Sequence, residues 1–196
     1  MRHAPPAVLW DDPWLAARPS ALTRELNVAM VEVFDSLTEF SVALAGFSGV
    51  AIAIKSRDGM IDSLTEFRTR NLLTFALAAA FGSILPAQLS TFALEGTDVW
   101  AWSSGIFSLI LLGVLGSAVQ ATRLVDGAER AALSSLFGAF FYAGNSISFV
   151  SQILNGFGLF WNPSPAPLSM GIVFLLVCTT VQFLRFLTGA SSSHAA

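Results

Sequence analysis

The sequence predicts an all-α polytopic membrane protein: about five transmembrane helices behind an N-terminal amphipathic segment. Three observations predict it. Hydrophobic residues make up 54% of the 196 and charged residues only 12%, where a soluble domain carries about 25% charged. There are 17 Phe and a single Tyr, so most ring surface has no hydroxyl to offer water. Five apolar stretches, at 36–54, 72–94, 103–124, 134–156 and 168–187, are each long enough to cross about 30 Å of hydrocarbon as a helix.

Residues 1–35 form the N-terminal tail. Near its end Leu22, Leu26, Met30 and Val33, with Leu37 beyond it, make an apolar stripe at helical spacing. That pattern predicts an amphipathic lead-in, either lying on the surface or continuous with the first span. The hexapeptide DSLTEF then occurs at Asp35–Phe40 and again at Asp62–Phe67. In both copies Ser precedes Glu by three residues, Ser36 to Glu39 and Ser63 to Glu66, which is capping-box spacing and predicts a helix start at each. No similarity continues past the six residues, so two helix starts are expected in place of a duplication.

Each span has its own signal. In the first, Ser41, Ala45, Gly49 and Ala53 place small residues at intervals of four, a strip along which helix backbones approach closely in lipid. A re-entrant first span, leaving four crossings, is the alternative. The second contains Pro86, which removes a backbone hydrogen bond and predicts a kink, with Gln88 just beyond. The third carries Gly105, Gly113, Gly116 and Gln120. In the fourth, Asn145, Ser148, Gln152 and Asn155 share one helical face. Unsatisfied amides cost several kcal/mol in hydrocarbon, so this face must meet other helices or water. It is either glue between helices or one wall of a hydrated pathway, with Gln120, Gln182, Cys178 and Arg185 as candidates for the other wall. Residues 189–196 form a C-terminal tail.

Lys55, Arg57, Arg68 and Arg70 lie between spans one and two, Arg123 and Arg130 between three and four, and Arg185 ends span five. The other two loops hold no Lys or Arg, which predicts a cytoplasmic C-terminus and an external N-terminus. Arg2, Arg18 and Arg24 oppose this in the tail and are offset by Asp11, Asp12, Glu25, Glu32 and Asp35. Trp10, Trp14, Trp100, Trp102 and Trp161 then share one side, as an interfacial belt does. No secretory signal is evident in the first 30 residues.

No enzyme is expected. Gly46-Phe47-Ser48-Gly49 has the GxSG form of rhomboid proteases, but both histidines, His3 and His194, lie in the tails, so a general base is missing. A Ser48–Lys55 dyad is disfavoured by about 10 Å of helix between them. One cysteine excludes an intrachain disulfide or a thiolate cluster, and no metal site, cofactor or nucleic-acid partner is expected.

The stretch EFSVALAGFSGVAIAI followed by EFRTRNLLTFALAAAFGSILP, within Glu39–Pro86, resembles a group of uncharacterised bacterial multi-spanning inner-membrane proteins. The resemblance implies a bacterial inner-membrane location and no particular activity. Size and helix count are also similar to the translocator-protein family, whose tryptophan-rich loop and ligand motifs have no match here. The expected function is a homo-oligomeric channel, with span four or span one facing the axis and Glu39 near the external mouth. The alternative is a non-transporting accessory subunit that docks on a membrane partner through the Trp10 and Trp14 tail and the small-residue strip. An intramembrane hydrolase centred on Ser48 is the third reading.

Overall fold

The computed structural model describes residues 21–57, 63–92, 94, 96–124, 135–159 and 162–188. Those residues form five helices and no strands: α1 (Ala21–Arg57), α2 (Ser63–Ser90), α3 (Thr97–Leu124), α4 (Ser135–Gly156) and α5 (Pro165–Thr188). Four of them, α1, α2, α3 and α5, are long and apolar enough to cross a membrane. α4 has 22 residues, about 33 Å of helix and also sufficient length, but its amides and hydroxyls lower its apolarity. The protein is a multi-pass α-helical membrane protein.

α1 is a single helix of 37 residues, about 55 Å long. It neither turns back nor starts at Ser36, which corrects both the re-entrant alternative and the first capping box. The Ser36 hydroxyl donates backward to the Glu32 carbonyl at 2.9 Å, as a mid-helix serine does. Thr38, Ser41 and Ser48 do the same to Phe34, Leu37 and Leu44. The reason is upstream: Ala21–Asp35 contains no Gly or Pro, and about half of it is Ala, Leu, Glu, Arg or Met, so helix propagates through the box. The second copy follows Gly59, and there α2 does begin at Ser63 with Glu66 in its first turn.

α2 continues past Pro86 to Ser90. Its end is closed by amides of Thr91 and Phe92 donating to Gln88 and Leu89. α4 ends in a Schellman turn: Leu159 N–H donates to Leu154, Gly158 N–H donates to Asn155, and Gly158 takes φ 61°. This turn sends the chain back into α5, whose Pro165 and Pro167 occupy a first turn that needs no intrahelical N–H donors.

Paired contacts fix an antiparallel order. Thr38 meets Ser83 across α1 and α2, Thr122 meets Tyr142 and Asn155 meets Ser104 across α3 and α4. Gln152 meets Pro167, and Arg185 sits over the Phe137 ring, across α4 and α5. α2 and α5 form the centre, α3 and α4 pair on one side, and α1 packs on α2 and the edge of α5. The core is built from Phe75, Phe107, Leu111, Leu168, Ile172 and Leu175, with Phe75 stacked on Phe141 at 4.7 Å. Only 11% of the α1 apolar window is buried, against 50% for α2, so α1 is the peripheral helix. Arg68, Arg123 and Arg185 lie at one end of the bundle, and Trp100 and Trp102 at the other.

Candidate functional site

The polar face of α4 lies inside the chain. Asn145, Gln152 and Asn155 are each 1% exposed or less, which is where the cost of desolvating a carboxamide requires them to be. Asn155 is the best satisfied. Its Nδ2 donates to Ser104 Oγ at 2.7 Å and to the Ser164 carbonyl at 3.0 Å, and its Oδ1 accepts the Ser164 amide at 3.1 Å. One side chain thereby ties α3, α4 and the start of α5. The approach is possible because a Cβ on Gly156 would already lie 3.3 Å from the Ala101 carbonyl oxygen.

One turn earlier, Gln152 Nε2 donates to the Pro167 carbonyl at 2.6 Å. A Cβ on Gly171 would come within 3.0 Å of that nitrogen, so glycine there leaves room for the amide. Phe107 fills the slot beside it: added Cβ atoms on Gly82 and Gly171 would meet its ring at 2.4 and 2.9 Å. Gln152 Oε1, Ser103 Oγ and both polar atoms of Asn145 are buried with no hydrogen-bond partner among the described residues. Ser148 is half-buried, and Gln182 and Cys178 are buried on α5.

Gln120 and Gln88 are exposed on the outside of the bundle. They do not join the α4 face, which corrects the placement of Gln120 on its opposite wall. The groups that do join it are Ser104, the Ser164 backbone and the Pro167 carbonyl, and only Ser104 is a polar side chain visible in the sequence.

A second polar array lies on α1 and faces away from the bundle. Glu32, Ser36, Glu39, Ala43, Gly46 and Val50 follow a near-straight helical line and are all exposed. The opposite line, Phe34, Ser41, Leu44 and Ser48, is buried. The inward stripe is thus centred on Phe34, while Met30 and Val33 are exposed; Leu22 and Leu26 lie outside the described side chains. Depth follows from Phe34, whose ring stacks on Trp100 at 5.8 Å. Glu39 lies five residues further in, about 7.5 Å along the axis.

Residues at intervals of four drift about 40° per step around a 3.6-residue helix. Accordingly Ser41 is buried, Ala45 half-buried, and Gly49 and Ala53 exposed. Gly46, Gly49, Gly113 and Gly116 have nothing within 4 Å of an added Cβ. Ser48 is buried and donates to the Leu44 carbonyl.

No protein-family model matches the chain, and no curated protein or solved structure shows significant similarity to it.

Proposed function

We propose that the protein is a homo-oligomeric cation channel of the bacterial inner membrane, lined by the outward face of α1, with its N-terminus external. The observation that carries this reading is the exposed Glu39 carboxylate, below the level of Trp100, on the least buried of the four long apolar helices. A lone acidic side chain facing acyl chains costs up to about 2.5–3.5 kcal/mol on insertion scales, the value at a helix centre, and less toward the interface. Assembly of copies around an axis removes that contact and gathers the carboxylates at a hydrated mouth. Below Glu39 the same line carries Ala43 and Gly46, small enough to leave space along an axis. The amides of α4 are buried within one chain, which favours α1 over α4 as the lining element.

An accessory subunit is the second reading, because the same α1 face fits a different membrane partner equally well by shape. Native mass spectrometry and liposome flux separate the two. The channel reading expects a closed ring that passes monovalent cations, with Glu39→Gln lowering cation-over-anion preference. A tight monomer without flux ends it, and a stoichiometric foreign partner transfers the α1 face to the accessory role.

A further inference from the structure

An open-sided cavity of about 400 Å³ lies between α1, α2 and α3 at the tryptophan-bearing end. Its size falls within the range of small-molecule sites, about 300–1,000 Å³. Phe34, Asp35, Thr38, Ser83, Ala87 and Trp100 contribute to its wall. Asp35 and Thr38 also belong to an adjoining groove that runs down α1 past Glu39 to Val42 and Ala43. Cavity and groove therefore share one edge, Asp35 and Thr38.

We infer that this cavity binds an amphipathic cation, an ammonium head group carrying one alkyl chain. Charge complementarity selects that class. Among the described residues, Asp35 and Glu39 are the ionisable groups of the combined lining, and none is Lys or Arg. A phosphate-bearing or carboxylate head group would therefore meet only like charge. The hydroxyls of Thr38 and Ser83 are already bonded, Thr38 to Ser83 at 2.7 Å and Ser83 to the Ala80 carbonyl at 2.9 Å. They rigidify the wall and leave the carboxylate as the group that discriminates. The ends of α2 and α3 that flank the cavity carry partial charges of opposite sign, which largely cancel. Trp100, held by its stack on Phe34, supplies the ring surface that attracts an ammonium, and indole is the strongest of the aromatic partners. The alkyl chain lies within the cavity, against Met30, Val31 and Ile84.

This site belongs to a single chain and stands whether or not the protein conducts. The test uses the full chain in maltoside micelles, titrated with decyltrimethylammonium, with decanol and decyl sulfate as uncharged and anionic controls. The Trp100 contribution to fluorescence, defined by its loss in Trp100→Phe, is the readout. A saturable change with the ammonium alone is expected. Asp35→Asn shifts its midpoint by about three- to fivefold, the value of one exposed charge contact. Ala87→Phe, which fills the cavity, removes the saturable signal. Equal responses to decanol and the ammonium, a response that never saturates, or an unchanged midpoint in Asp35→Asn would each overturn the assignment. So would a saturable response that survives Ala87→Phe.

Discussion

Asn155 offers the most direct test of the architecture. Asn155→Ala removes bonds to Ser104 Oγ, the Ser164 carbonyl and the Ser164 amide. Interhelical side-chain bonds in membrane proteins average about 0.6 kcal/mol, so the Ser104 bond accounts for a small share. The larger share comes from the Ser164 backbone, whose polar groups lose their partner at a cost of about 1–3 kcal/mol. The sum is a loss of about 2–4 kcal/mol. Reversible unfolding in mixed micelles with increasing SDS reads that loss. A double-mutant cycle with Ser104→Ala isolates the direct pair, with an expected coupling of about 0.6 kcal/mol and a ceiling near 1.7. Wild-type stability in Asn155→Ala, or strict additivity with Ser104→Ala, would refute the placement of the α4 face inside the chain.

The remaining predictions follow from particular contacts. Gly82→Ala drives a methyl into the fully buried Phe107 ring and should cost about 1–3 kcal/mol, part of which Phe107→Leu restores in the same unfolding assay. Asn145→Leu removes a buried amide with no partner among the described residues and should leave stability unchanged or raise it by about 1 kcal/mol; a large loss would show that the amide is satisfied. Ser36→Ala should change stability by less than about 0.5 kcal/mol, where a true N-cap would lose about 1. Gly46→Leu has open space around it, so single-chain stability should hold in unfolding assays while the oligomer peak in native mass spectrometry disappears. Cys178 is fully buried and should react with maleimide only after denaturation.

The helical class, the apolar spans and the inward direction of Asn145, Gln152 and Asn155 were legible in the sequence because a bilayer leaves amides few places to go. The start of α1 was not. DSLTEF signals a cap only when the preceding chain is non-helical, and the copy at Ser36 inherits helix from Ala21 while the copy at Ser63 does not. The partners of the α4 face were also hidden. Gln152 and Asn155 bond to the backbone of Pro167 and Ser164, and backbone groups carry no residue-type signature. Gln120 was misplaced because polarity alone does not say which side of a helix is covered. Near the end of a span a glutamine reaches the interface at little cost, so it need not turn inward.

Phe107 has a mechanical consequence. Its ring is wedged between backbones at Gly82 and Gly171, so it acts as a dowel through α2, α3 and α5. Sliding any of these past another requires the ring to leave a slot with no spare width. Asn155 adds a second fastener where α3, α4 and α5 converge. Rotation of α1 about its own long axis disturbs neither fastener. The four-helix remainder is therefore pinned without α1, whose own ties to it are the Thr38–Ser83 hydrogen bond and the Phe34–Trp100 stack.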